Sequence, residues 1–503
     1  MEIRISDLIK YMGLYLYNSL TRRKEEFKPL VEGRVGIYVC GPTVYGETHL
    51  GHAKSYVSFD VLVRYLRYLG YDVTYVQNIT DVGHLLGDAQ EGEDRIMVAA
   101  AKEHKHPMAV AEYYTRNYFE DMDKLNCARP DISPRATGHI IEQIELVKTL
   151  LEKGYAYEAN GSVYFDVSKF KDYGKLSGRN TEEMLAGVRV EVSPGKKNPV
   201  DFALWKKAEP NHIMQWPSPW GMGFPGWHLE CSVMAMKYLG KTIDIHGGGL
   251  DNQFPHHECE IAQSEAANGV QFVRYWIHNN MVTVDGQKMS RSLNNFINLR
   301  QAFSGTHERL TRHYEPLAIR QLVLNSHYRS PLDFSDAALY GAQSGYKRIT
   351  ETVETLRKKM TQARKGELDP EIAEQLKQLR EKFEAAMNDD LNTSVALSVI
   401  FELVRFANKL LEDNKTTMQT LNAVEVLFGR LGGEVLGIVK DEYIRTDQAD
   451  NEFVGKLVDI AIEQRNEARK ERNFTKADNL RRRLYDIGIV LEDKPDGTEW
   501  RWK

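Results

Sequence analysis

The apolar run Val35-Gly36-Ile37-Tyr38-Val39 is followed, ten residues on, by His49-Leu50-Gly51-His52, which opens a helical pattern from about Gly51 to Leu69. A second apolar run spans Val73 to Val76. Two short apolar runs around an amphipathic helix predict a strand-helix-strand unit with parallel strands. That unit restricts the chain to an α/β fold built on a buried parallel sheet of nucleotide-binding type. It also places two histidines at a helix N-terminus, where unpaired N–H groups and the positive end of the helix dipole suit a phosphate. Gly51 lets a flat ring approach the backbone there. Read alone, the tetrapeptide is more readily a chance match or a helix cap.

A second signature, Lys288-Met289-Ser290-Arg291-Ser292, follows the turn-forming Asp285-Gly286-Gln287. It brings two cations and two hydroxyls to a loop, and cations so placed can follow charge moving off a triphosphate. Alone it reads as a solvated loop. In this order the two signatures resemble those of the class I aminoacyl-tRNA synthetases. Four further segments, Val39 to Tyr45 before the first signature and Gly226 to Ser232, Asp244 to Gly249 and Phe254 to Glu260 between the two, resemble the cysteinyl-tRNA synthetase family. The resemblance runs from about Leu14 to Arg501.

Cys40 follows the first strand, Cys231 lies in Gly-Trp-His-Leu-Glu-Cys-Ser, and His256 and Glu260 stand four residues apart on a predicted helix, so they share a face. Two thiolates, an imidazole and a carboxylate suit zinc. A lone cysteine is more often a packed small hydrophobe than a ligand; two of them beside His256-His257-Glu258-Cys259-Glu260 reverse that balance. The resemblance implies one zinc per subunit on Cys40, Cys231, His256 and Glu260. Cys259, where the family commonly has a non-thiol residue, is expected to be a packed thiol, and Cys127 an inert buried one.

The resemblance further implies that L-cysteine, ATP with Mg²⁺, and tRNA(Cys) are the substrates. His49, His52, Lys288 and Arg291 would carry the chemistry. Gly41, Gly51, His246, Gly247, Gly248 and Asp251 would join them around ATP, and Gly41, Thr80, Trp227 and Asp251 would hold the cysteine. Arg291 departs from the family pattern, which usually has lysine there; it keeps the charge but spreads it over a planar fork. A zinc that prefers sulfur to oxygen would separate cysteine from serine, which a plain pocket does poorly.

With 503 residues there is room for about three domains. The expected architecture is α/β: a Rossmann-like parallel-sheet catalytic domain over residues 1–334 with an insertion at about 126–225, a helical bundle over 335–433, and a small basic anticodon-binding domain over 434–503. Ala385 to Thr393 resembles the start of the bundle; a stalk without chemistry fits that region equally well. In the tail, Arg465 to Arg483 is a basic helical pattern in which Arg469, Arg472 and Lys476 fall near one face, and Trp500 follows an Asp-Gly turn. Charge runs are usually solvated faces, but basic residues beside an aromatic also suit unpaired bases.

The net charge of −5 excludes a globally basic nucleic-acid binder, so RNA contact must be local. No apolar run approaches the roughly 20 residues of a membrane span. Met1 to Lys10 lacks the apolar core of a signal peptide, and four cysteines make no disulfide framework, so a cytoplasmic protein is expected. A monomer without membrane association is the plainest expectation. The rival is an ATP-dependent cysteine:amino-sugar ligase of the mycothiol type, which shares the zinc and ATP signatures but should lack the basic tail.

Overall fold

The computed structural model describes residues 13–82, 95–179, 195–210, 212–413, 416–441, 458, 461–470, 473–486, 489–494 and 497–502. It divides into two compact units, Met1–Lys440 and Asp441–Lys503.

The first unit is organised by four strands, β1 (Arg34–Val39), β2 (Asp72–Gln77), β3 (Ile243–Gly249) and β4 (Val273–Asn279), all parallel in the order β4-β3-β1-β2. Ile37 sits opposite both Tyr75 and Ile245, which fixes the register of the central pairs. Val35, Ile37, Tyr38 and Val39 are all buried. Both faces of β1 are therefore covered, which is why its sequence is a continuous apolar run rather than an alternation. Helix α1 (Leu50–Tyr68) connects β1 to β2 and buries Leu50, Ala53, Val57 and Val61 at helical spacing. The chain leaves β1 toward β2 on one side, while β3 pairs on its other side. This reversal makes a switch point at the C-terminal ends of β1 and β3, where sheets of this kind bind ligands.

The inserted segment forms its own antiparallel five-stranded sheet, in the order Ala156–Ala159, Ser162–Phe165, Phe202–Lys207, Gly221–Pro225 and Trp216–Ser218. Helix Ile140–Glu152 packs with it. Two further helices, α2 (Trp227–Leu239) and α3 (His256–Asn268), close this core from the catalytic side through Leu229, Val233, Cys259 and Ala262. Helix α3 thus serves two neighbours at once.

A set of helices follows: α4 (Pro316–Leu324), α5 (Asp336–Met360), α6 (Pro370–Asn388), α7 (Thr393–Glu412) and α8 (Met418–Leu427). Their starts are written in the sequence, since Ser335, Asp369, Asn392 and Thr417 each accept backbone N–H bonds as N-caps. Arg320 of α4 is fully buried. Its guanidinium ion-pairs with Asp60 of α1 and donates to the carbonyls of Leu436 at 2.7 Å, Leu125 at 3.0 Å and Asn126 at 3.1 Å. Asn126 in turn donates to the Gly437 carbonyl at 2.8 Å. A buried cation satisfied on every side is costly to break, because removing one partner strands the other.

In the second unit, helix Phe474–Asp486 packs on the hairpin formed by Ile489–Lys494 and Gly497–Trp502. Ile462, Leu484, Ile489 and Leu491 form its core, with Trp500 half-buried against it. Arg465 is nearly sealed and grips both carboxylate oxygens of Asp493, at 2.8 and 2.6 Å, so it is a structural cation. Arg469 and Lys476 are exposed. Arg472 lies outside the described residues.

Candidate active site

A cavity of about 480 Å³ opens at the switch point, lined from four directions by Cys40 and Gly41 after β1, His49 and His52 at the start of α1, Gly249 to Asn252 after β3, and Lys288 with Met289. That volume lies in the range of small-ligand sites. Gly41 is required by packing: a Cβ there would stand 1.5 Å from the Asn78 carbonyl oxygen. The Gly41 N–H also donates to Asn78 Oδ1 at 2.8 Å, which closes the loop ends of β1 and β2 on each other.

His49 and His52 form the capping box of α1. The Gly51 N–H donates to His49 Nδ1 and the His49 N–H donates to His52 Nδ1, each at 3.1 Å. With Nδ1 accepting in both rings, the neutral imidazoles carry their protons on Nε2. Burial holds His52 neutral by pulling its pKa down to about 4. The rings stack with centroids 3.9 Å apart. A Cβ on Gly51 would stand 2.9 Å from the His49 ring, so only glycine lets that ring fold over the helix end.

The second signature sits on a hairpin, Val282–Val284 against Gln287–Lys288, whose turn uses Asp285 at φ 49° and Gly286 at φ 77°. Lys288 is exposed and lines the cavity. Arg291 begins a short 3₁₀ turn, Arg291–Leu293; its side chain lies outside the described residues. The chain then returns to the first signature: the Leu50 N–H donates to the Ile297 carbonyl at 3.3 Å, and the Leu299 N–H to that of Thr48 at 2.9 Å.

At the other end of the cavity, Thr80 Oγ1 donates to Glu230 at 2.8 Å and accepts from Asn78 Nδ2 at 3.0 Å, so its hydroxyl is fixed. Trp227 stacks on His256 at 4.3 Å, and both line the cavity with Thr80. Asp251 is exposed on the 3₁₀ turn Leu250–Gln253 and lines it too.

Beside them the donor atoms of Cys40, Cys231, His256 and Glu260 all lie within 4.8 Å of one another, and all four residues are buried. The two sulfurs are 4.0 Å apart, and His256 Nε2 is 3.1 Å from Glu260 Oε1. Burial pushes the Cys40 thiol up to about 11, and raises Cys231 and Glu260 as well. Left to themselves these groups prefer to be neutral; a bound divalent cation is what would let them ionise together. The set therefore fits a metal ion. Neighbouring imidazoles orient it: His228 Nδ1 is 2.9 Å from His256 Nδ1, so the other nitrogen of His256 is the one turned to Glu260. Cys259 points the opposite way, its sulfur 3.4 Å from the Tyr173 hydroxyl in the core of the insertion.

Three residues assigned to ATP on the sequence stand elsewhere. His246, Gly247 and Gly248 do not line the cavity. His246 is fully buried, stacks on Trp276 at 4.5 Å and places Nε2 2.9 Å from Glu260 Oε2. It orients the carboxylate from behind. The Gly247 carbonyl accepts the Cys40 N–H at 3.0 Å, and Gly248 backs onto His257. The signal for this lay in the strand itself: β3 is central, so its residues up to Gly248 are covered on both faces. Conversely, Arg95, whose guanidinium donates to the Tyr45 hydroxyl at 3.0 Å, lines the cavity and carries no sequence motif.

The family described as tRNA synthetases class I (C) catalytic domain matches residues 26–344. The DALR domain matches 382–440, and the cysteinyl-tRNA ligase anticodon binding domain matches 458–501. A cysteine-tRNA ligase of Chlorobaculum tepidum is 54% identical over 98% of this chain and 99% of its own length. The chain belongs to the cysteine-tRNA ligase family. A second ligase of this family, from Bacteroides fragilis, is 50% identical over 97% of this chain and 99% of its own. Family membership makes the chain an enzyme that joins cysteine to tRNA at the expense of ATP, and its match to the family's anticodon-binding domain disfavours the amino-sugar ligase. In fold the chain is similar to a methionyl-tRNA synthetase of Mycobacterium tuberculosis in complex with methionyl-adenylate (14% identity, TM-score 0.56, 80% of this chain and 92% of that one). No described helix is long and apolar enough to cross a membrane.

Proposed function

We propose that the cavity joins the carboxylate of L-cysteine to the α-phosphate of ATP, and that the aminoacyl group then passes to the terminal adenosine of tRNA(Cys). The observation that carries this reading is the convergence of two thiols, an imidazole and a carboxylate beside a helix N-terminus capped by two histidines. The cysteine carboxylate attacks the α-phosphorus in line and displaces pyrophosphate, so no protein nucleophile is needed. The protein contributes positioning and charge stabilisation. The Nε2–H groups of His49 and His52 donate to phosphate oxygens as charge builds. Lys288 and Arg291 take up the charge of the departing pyrophosphate. Asp251 pairs with the substrate ammonium, while Gly41, Thr80 and Trp227 close round the amino acid.

Cys40, Cys231, His256 and Glu260 would hold one zinc ion, which supplies a soft Lewis acid that favours a thiolate over a hydroxyl. Magnesium enters with ATP. Arg469, Arg472, Lys476 and Trp500 read the anticodon loop. The division at about residues 334 and 433, a monomeric state and a cytoplasmic location belong to the same reading. The test is amino-acid-dependent pyrophosphate exchange with zinc-loaded and chelated protein, followed by tRNA charging. Cysteine should be activated far better than serine, and only while zinc is bound; equal activation of serine by the zinc-loaded enzyme would sink the reading.

A further inference from the structure

Asn295 is 2% exposed, and its amide spans the second signature. Oδ1 accepts the Ser290 N–H at 2.8 Å, and Nδ2 donates to the Lys288 carbonyl at 3.1 Å. The bonded groups lie on either side of Met289, which faces the cavity. One partner is a donor and the other an acceptor, so the amide has a single orientation that satisfies both. Asn294, at φ 50°, makes the turn that brings Asn295 back under the loop.

The next residues are tied to the first signature. Ile297 accepts from Leu50, Asn298 bridges to His49, and the Phe296 ring contacts His49. One buried side chain therefore references the main chain of Lys288 to the strip that lies against His49. The side chains of Gln287 and Lys288 are exposed, and besides Asn295 the main chain there is held by the pairing of Thr283 with Lys288 and by the Met289 N–H on the Val282 carbonyl.

We infer that Asn295 is a positioning residue for adenylate formation: it sets the place of the Lys288 ammonium relative to the imidazoles of His49 and His52. The inference rests on the reading of Lys288 given above. A lysine whose contact strengthens as pyrophosphate departs contributes to the transition state more than to ground-state ATP binding. Loosening its anchor lowers kcat and spares KM.

The experiment is pyrophosphate exchange by Asn295→Ala, Asn295→Asp, Lys288→Ala and the double variant Asn295→Ala/Lys288→Ala, each with a melting curve. Asn295→Ala should lower kcat about 10- to 100-fold with KM for ATP and cysteine within about twofold. Asn295→Asp keeps the acceptor for Ser290 and should fall between it and the unsubstituted protein. In the Lys288→Ala background the Asn295→Ala effect should vanish, because the group it positions is gone. A harmful Lys288→Ala with a normal Asn295→Ala, or with fully multiplying effects, overturns this inference and leaves the reading of Lys288 intact. A neutral Lys288→Ala overturns both. Should Asn295→Ala melt below the assay temperature, Asn295→Asp carries the same test: an unchanged kcat, or a loss confined to KM, overturns the inference.

Discussion

The Phe296 ring meets the His49 ring edge-on, with centroids 4.9 Å apart and planes inclined by 64°. Two signatures separated by most of the catalytic unit are therefore in direct contact, through the residues that immediately follow the second one. An edge-to-face pair of this kind contributes about 0.5–1.5 kcal/mol beyond its buried area. Phe296→Leu should keep the fold yet lower pyrophosphate exchange several-fold. Undiminished exchange would mean that the ring contact does not help to hold His49.

Arg291 stands where the family usually has lysine, and the argument for it is charge near departing pyrophosphate. Arg291→Lys should be nearly neutral. Arg291→Ala should cost about 10-fold or more in kcat for exchange. A normal kcat in the alanine variant would leave Lys288 serving alone.

Metal content separates the three buried cysteines by geometry. Cys231→Ser and His256→Ala should lower zinc below one per chain, whereas Cys259→Ser should retain it, because its sulfur faces Tyr173. Elemental analysis after dialysis reads this directly. Zinc loss from the Cys259 variant would reassign the ligands.

Stability should depend on pH through His52. Burial lowers its folded pKa to about 4, while an unfolded histidine titrates near 6.5. Between these values the unfolded chain binds a proton that the folded one refuses. The stability contribution of the neutral ring is complete above about pH 6.5 and is lost as pH falls toward 4. His52→Asn should flatten the fall of Tm across that window; an unchanged slope would show that other groups account for it.

Arg320→Ala strands the Asp60 carboxylate and several carbonyls, and should destabilise the first unit by about 3–5 kcal/mol in denaturant unfolding. Arg320→Met together with Asp60→Asn should recover much of it. A loss under about 1 kcal/mol for the alanine variant would mean that water replaces the guanidinium.

What could be read from the sequence, and what could not, divides along a physical line. Strand β1, helix α1 and the strand Ser162–Phe165 lay open because periodicity and burial act over neighbouring residues. His256 and Glu260 could be paired because they share a helix face, whereas grouping them with Cys40 and Cys231 rested on the family resemblance. The turn of His246 toward Glu260 was hidden, since a histidine inside a central strand offers no mark of which neighbour it meets. Asn295 and Arg320 were hidden for a related reason: most of their partners are backbone groups, and Arg320 reaches across 195 residues to Leu125. Arg465 read as one more basic residue in a charged run, whereas pairing with Asp493 makes it part of the core of its unit.

The Asn126 and Arg320 clasp on Leu436 and Gly437 limits how this chain can be cut and recombined. A graft that exchanges the helices after α4 for those of a relative would have to carry residues 436 and 437 with it, or leave a guanidinium without acceptors in the recipient's interior. A shortened chain would have to run past Gly437 for the same reason. Residues 436 and 437 are thus the last stitch of the catalytic body, and an insertion between them would undo it.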